Sequence, residues 1–343
     1  MDKYWLVLFL LVSSAASACS FDCAKAKAPE EKAICASPEL CKADEQLAAA
    51  YADALSGTPP TMTDDVRADQ RAWLNQLAVV CTPTRRHAGK DLTGCLLGDY
   101  KFRINQLQHL VLRKHGVTFV WRSLFLNNAE QAGDDDLGIL SASWPEAASD
   151  ETEWKRWNKA IEAAAQSAFT GDSRLQEWQD IWATGGDFVL TTTIDSANDQ
   201  WIATTVEVAQ DTDWHPIFDR FQFTWILRES RELHVDDVFK SGAGWQQKLQ
   251  AACAKSVQAL FADGGPETWN AHQADYFRGA KTESEVLNKI TEDPRKYWLI
   301  GPDGLTIVFL PYGLVCDGCG LDPITIPWAE LKPYLNATFV VPQ

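Results

Sequence analysis

Nine cysteines in a chain of 343 residues, set behind a short apolar leader, limit what this sequence can fold into more than any other feature. The leader starts with Lys3, continues as an apolar run from Trp5 to Val12, and closes on Ala16-Ser17-Ala18. That order of charge, apolar core and small-x-small residues predicts an export signal over residues 1–18. The run is too short to span a bilayer, which takes about 20 residues. Export places the cysteines in an oxidising compartment, periplasmic or secreted, where thiols pair. Cys19 directly follows the small residues and is a candidate for lipidation. Ser17 and Ala18 suit a lipobox, although Ala16 stands where Leu is usual, and acylation would leave eight cysteines, an even number. Simple secretion ranks ahead of it, and Cys19 offers the sole membrane attachment read from the sequence.

From Cys23 to Leu107 the apolar residues recur at helical spacing. Pro29 to Ala36 reads as a short helix. Ser37-Pro38 reads as an N-cap and first-turn proline for a second helix, which uses Leu40, Leu47, Tyr51 and Ala54 and stops near Gly57. After Thr58-Pro59-Pro60, Thr63 with Asp64 and Asp65 opens a third, with Val66, Gln70, Trp73, Leu77 and Val80 near one stripe. A polar loop, Thr82 to Gly94, lies between Cys81 and Cys95. A fourth helix aligns Leu96, Tyr100, Ile104 and Leu107 and is expected to run to about Lys114. Short helices gain stability chiefly from packing, so cysteine bridges are the expected staples of so small a bundle.

The order Cys23, Ile34-Cys35, Leu40, Asp44, Leu47, Tyr51, Gln70, Trp73, Cys81, Cys95-Leu96, Tyr100 and Arg103-Ile104 resembles the LprI-type lysozyme-inhibitor domain. Leu77 departs from that pattern, which has a basic residue there. The resemblance implies two bridges among Cys23, Cys35, Cys81 and Cys95, with the pairing open. It also implies a partner-binding surface, for which Tyr51, Gln70, Trp73, Tyr100 and Arg103, with Arg85 and Arg86 of the Thr82–Gly94 loop, are the candidates. Tyr51, Trp73 and Tyr100 suit a helix core equally well.

Gly116 marks the expected boundary, giving domains over 19–115 and 116–343. Val117 to Trp121 reads as a strand, Leu137 to Pro145 as an extended piece, Trp154 to Phe169 and Gly244 to Phe261 as helices, and Trp178 to Gly185 as a short helix or turn. Phe188–Ile194, Trp201–Val208 and Phe221–Leu227 carry period-two, β-rich patterns. Trp298–Ile300 and Leu305–Leu310 flank Gly301-Pro302-Asp303-Gly304, a hairpin signal. Strands broken by separate helices indicate an α+β domain with an antiparallel sheet, following the disulfide-bonded helical bundle. Asp213–Pro216, the Phe221 strand, Arg231–Phe239, Tyr297–Ile300, Leu310–Gly313 and Ile324–Leu331 resemble, in order, the C-terminal extracellular domain of RsiV-type proteins over about 187–335. In RsiV that domain is a lysozyme receptor. Cys316-Asp317-Gly318-Cys319 replaces the loop expected between its final strands.

Charge and motif content exclude several classes. The net charge is -16, of which residues 19–110 hold -1 and residues 111–343 hold -15. That disfavours nucleic acid and favours a basic partner. The six histidines form no H-E-x-x-H pattern, and no G-x-S-x-G occurs. Cys316 and Cys319 read as a local structural disulfide, since Asp317 and Asp322 would disfavour a redox thiolate. Asp134-Asp135-Asp136 lacks calcium-loop spacing, and Asp236-Asp237 reads as a cap. Trp154, Trp157, Trp201 and Trp225 are expected in the core. Trp178, Trp182, Trp214, Trp245, Trp269 and Trp328 lie nearer polar stretches, where a ring could anchor a partner. Cys41 and Cys253 could bridge the two domains, or Cys253 could be a buried thiol.

The reading is an exported, cofactor-free, non-catalytic lysozyme binder or inhibitor at the bacterial envelope. The alternative is an envelope structural or glycan-binding protein.

Overall fold

The computed structural model describes residues 19–81, 92–127, 138–170, 187–211, 217–242, 244–262, 280–308 and 322–342. The expected signal peptide and the Cys316–Cys319 turn lie outside them, as do Arg85, Arg86, Asp134–Asp136, Trp178, Trp182, Trp214 and Trp269. The chain forms two compact units: residues 1–56 with 81–109, and residues 57–80 with 110–343.

The first unit contains α1 (Pro29–Ala36), α2 (Pro38–Gly57, its last residue across the division) and α4 (Leu92–Gln108). Pro29 opens α1, and the Glu31 carboxylate accepts the backbone N–H groups of Lys27 and Ala28. Ser37 Oγ accepts the Leu40 N–H at 3.3 Å, as an N-cap should, with Pro38 at the first helical position. Ile34, Leu40, Leu47, Leu96, Tyr100 and Leu107 are buried. Bridges join Cys19 to Cys41, Cys23 to Cys35 and Cys81 to Cys95.

The second unit begins with α3 (Thr63–Val80), which packs on β2 (Val117–Asn127). A seven-stranded sheet follows in sequential order: β1 (Val111–Lys114), β2, β3 (Ile139–Ala147), β4 (Asp187–Ala197), β5 (Trp201–Asp211), β6 (Ile217–Ile226) and β7 (Arg231–Glu232). Every pair is antiparallel except β3–β4, between which the chain crosses through α5 (Thr152–Thr170). The expected extension of the fourth helix to Lys114 is corrected here. The helix stops at Gln108, and Val111–Lys114 pairs with β2 across His115 and Gly116, whose φ values are 48° and 76°. Two central residues at positive φ make the tight hairpin turn that matches strand twist.

After the sheet come α6 (Val235–Val238), α7 (Trp245–Ala262), α8 (Glu283–Glu292) and α9 (Pro294–Tyr297). A three-stranded sheet of β8 (Trp298–Ile300), β9 (Gly304–Ile307) and β10 (Ile324–Pro327) precedes α10 (Trp328–Leu331). The β8–β9 hairpin turns where Gly301–Asp303 predicts. At Gly304 a Cβ would overlap the Ile326 carbonyl, so the close β9–β10 approach requires glycine.

Alternation along β5 explains why the large sheet is buried on both faces. Trp201 and Ala203 face one core with Phe239, Trp245, Leu249, Trp298 and Ile307; Ile202, Val206 and Val208 face another with Phe119, Trp157, Ile161 and Phe223. Trp154, Trp157 and Trp201 are core residues as expected, and Trp225 is half-buried. Trp245 and Trp328, two candidate anchors, are 5% and 7% exposed, so they pack inward.

Candidate functional site

The disulfides decide what the cysteines can do. Cys81 and Cys95, with Cα atoms 5.7 Å apart, close the segment that carries Arg85 and Arg86. Both sulfurs are buried, and Asp99 Oδ2 lies 3.6 Å from Cys81 Sγ and 3.7 Å from Cys95 Sγ. Cys19, Cys23 and Cys35 also lie close, their sulfurs within 4.8 Å of one another. Neither group presents thiolates to a metal while its cysteines are oxidised. Cys19 shares its sulfur with Cys41, so a thioether-linked lipid at Cys19 would require that bridge to be absent. The Cys41–Cys253 bridge, weighed from the sequence, is corrected: Cys253 is a buried free thiol, and burial pushes its pKa up to about 12.

The candidate contact residues are placed unevenly. Gln70, Trp73, Tyr100 and Arg103 are buried, Arg103 completely, while Tyr51 is half-buried. Arg103 donates to Gln106 Oε1 at 3.0 Å within α4. Burial, and then the negative charges of Asp44 and Glu30, raise the Tyr100 phenol above its ordinary pKa. A helical stripe on one strand of text does not distinguish an interior ring from a surface ring, which is why the sequence offered both readings for Tyr51, Trp73 and Tyr100. Of the candidates, Arg85 and Arg86 sit in the segment that the Cys81–Cys95 bridge closes.

In the second unit the polar groups are mostly engaged with one another. Arg122 on β2 reaches Asp69 at 3.2 Å, Glu146 at 3.5 Å and Asp65 at 3.7 Å. Burial acts to lower its pKa, but the Asp69 hydrogen bond and the three carboxylate charges outweigh that and hold it above its ordinary value. Asp195 interrupts the β4–β5 register and accepts from Thr205 Oγ1 at 2.7 Å and Gln222 Nε2 at 2.9 Å. Desolvation raises its pKa in spite of those bonds and of the nearby Arg220 and Lys114. Gln222 Oε1 in turn accepts the Ile300 N–H, and Ser196 Oγ donates to the Ile300 carbonyl. That network ties β8 to the large sheet. Asp237 caps α6 by accepting the His234 N–H, and it takes both Arg231 guanidinium arms at 2.7 Å. The Asp236-Asp237 pair is thus a cap, as the sequence indicated, and its engaged member is no free acid–base group.

Residues 23–107 match a family model described as "Lysozyme inhibitor LprI". This segment includes α1 to α3, α4 up to its last residue, and all three bridges except the Cys19 end. No curated protein matches the chain. Two solved structures are similar in part. One is a DUF3298 family protein from Pseudomonas aeruginosa PAO1, at 12% identity and a TM-score of 0.43, covering 65% of this chain and 95% of that one. The other is a member of the same DUF family from Bacteroides fragilis NCTC 9343, at 13% identity and a TM-score of 0.42, covering 66% of this chain and 96% of that one. No helix among the described residues is long and apolar enough to cross a membrane.

Proposed function

We propose that this chain is an exported, non-catalytic protein that binds and inhibits lysozyme at the bacterial envelope. The observation that carries this reading is the match of residues 23–107 to the lysozyme-inhibitor family. Three disulfides in one small helical unit are consistent with an oxidising compartment outside the cytoplasm. The RsiV-type resemblance read from residues 187–335 adds a second sequence pointer to the same partner.

The proposed mechanism divides the work by charge. Residues 111–343, with a net -15, attract a basic enzyme from a distance and raise its association rate. The segment closed by Cys81 and Cys95, in a region of net charge near zero, makes the short-range contact. Glycoside hydrolases of the lysozyme type keep a pair of carboxylates in the cleft. Arg85 or Arg86 supplies a guanidinium that pairs with such carboxylates, and the disulfide lowers the entropy lost when the segment docks.

The direct test is a turbidity assay of bacterial-wall lysis by several lysozyme classes, with and without the mature protein. Stoichiometric inhibition that weakens with added salt supports capture. Absence of both inhibition and binding at low salt overturns it and leaves the envelope glycan-binding alternative.

A further inference from the structure

Two of the three bridges in the first unit lie side by side. Cys23 Sγ is 3.6 Å from Cys19 Sγ, although each is bonded to a different cysteine, and the Cys35 sulfur lies within 4.8 Å of both. Sulfurs this near to contact need only a small approach for one to attack the other, once one of them is a thiolate.

The four cysteines differ in access. Cys23 is exposed, Cys19 and Cys35 are half-buried, and Cys41 on α2 is 4% exposed. The start of the described chain is held to α2 by the Cys19–Cys41 bridge and by the Ser20 N–H, which donates to the Asp44 carboxylate at 2.8 Å. A thiol arriving from solvent therefore meets Cys23 first. The third bridge is different. Cys81 and Cys95 are both buried, and Asp99 Oδ2 lies 3.6 and 3.7 Å from their sulfurs, so burial and a carboxylate charge both oppose an incoming thiolate.

We propose that the Cys23–Cys35 and Cys19–Cys41 bridges form a thiol–disulfide relay, entered at Cys23 by a small-molecule thiol. In the first step the entering thiolate bonds to Cys23 Sγ, the Cys23–Cys35 bond breaks, and Cys35 leaves as a thiolate. In the second step Cys35 bonds to Cys19 Sγ and the Cys19–Cys41 bond breaks. The proton given up by the entering thiol ends on Cys41. A second thiol molecule then removes the first as its disulfide and leaves Cys23 as a thiol. The sum is two small thiols oxidised to one disulfide, and two protein bridges replaced by one, Cys19–Cys35. Cys41, shielded from solvent, is thus released from within through its partner. The assignment rests on the sulfur positions and does not depend on lysozyme capture.

The experiment incubates the purified exported chain with reduced glutathione, quenches with acid and alkylates with N-ethylmaleimide in denaturant. Cleavage at acidic residues, among them Asp22, Glu31 and Glu39, separates the four cysteines for mapping by mass spectrometry. Glutathione on Cys23, a Cys19–Cys35 linked peptide and maleimide on Cys41 are expected, with Cys81–Cys95 intact. With Cys23→Ser and Cys35→Ser together, release of Cys41 should slow by about ten-fold or more. The proposal is overturned if glutathione leaves both bridges untouched, or if Cys41 stays joined to Cys19 while Cys23–Cys35 opens. It is equally overturned if Cys81 and Cys95 react as fast as Cys23, if the double-serine variant frees Cys41 at the unaltered rate, or if the starting protein lacks the Cys19–Cys41 bridge. Mapping of the unaltered chain stands without the variant, whose fold is checked by circular dichroism.

Discussion

The Asp69 carboxylate on α3 accepts from Arg122 Nε at 3.2 Å and from the next residue's backbone N–H, that of Ser123, at 3.0 Å. Asp69 therefore fastens α3 to β2 by a charged bond and a main-chain bond at once. α3 lies inside the stretch that matches the lysozyme-inhibitor family, yet it belongs to the same compact unit as the sheet. Removing the carboxylate takes the shortest partner from a largely buried guanidinium, which keeps Glu146 at 3.5 Å and Asp65 at 3.7 Å, and strips the Ser123 backbone donor of its acceptor. Asp69→Ala should cost about 2–4 kcal/mol, read as a lower urea midpoint with an unchanged slope. Asp64→Ala, at the exposed i,i+3 pair with Arg67, should change the midpoint little.

Stability should respond to pH in opposite senses at two aspartates. Desolvation raises the native pKa of Asp195 above 3.8, so its native state holds the proton longer than the unfolded chain does. Its contribution is fully present below 3.8 and is lost as pH rises through the raised native value. Arg231 lowers the Asp237 pKa below 3.8, so its contribution is present above 3.8 and is lost as pH falls through the lowered value. Thermal midpoints measured from pH 2 to pH 8 should show Asp195→Asn removing a decline with rising pH just above 3.8. Asp237→Asn should instead remove a gain that develops below it.

Gly304→Ala should destabilise the second unit by about 1–3 kcal/mol, because the new methyl meets the Ile326 carbonyl, which is backbone and moves only with β10. Gly98→Ala is the control: a Cβ there meets nothing within 4 Å. In the middle of α4 it should be neutral or slightly stabilising in the same denaturation experiment.

Cys253 should stay unlabelled by iodoacetamide in the folded protein and react after denaturation. Burial removes access and its raised pKa, about 12, keeps the thiolate scarce at neutral pH. Peptide mapping by mass spectrometry reads this residue by itself; labelling of the native protein at Cys253 would contradict the buried placement.

Opening the Cys81–Cys95 bridge should separate stability from function. Replacing both by serine should cost about 3 kcal/mol for a loop of this length. Arg85→Ala with Arg86→Ala should leave the denaturation midpoint unchanged while reducing lysozyme inhibition by ten-fold or more. Equal inhibition by the double-alanine variant would remove these arginines from the proposed contact.

Helical periodicity, the Ser37-Pro38 start, the Gly301–Gly304 hairpin and the alternation through Trp201–Val208 were readable because each depends on residues close in sequence. The α+β class follows from them. Pairing of Cys19 with Cys41 was not readable, since spacing alone does not rank the ways of joining the cysteines, and only folding brings those two sulfurs together. The end of α4 is not legible from the sequence, because Leu110–Lys114 suits either a helix or a strand locally. Pairing with Val117–Val120 across the positive-φ turn at His115 and Gly116 decides it. The roles of Trp73, Tyr100 and Arg103 were open for the same reason. A period of 3.6 shows which residues share a face of a helix, but what that face meets is set by elements distant in sequence. Local order therefore comes from the sequence, whereas the inward placement of those rings and the joining of α3 to the sheet arise from long-range contacts that tertiary structure alone supplies.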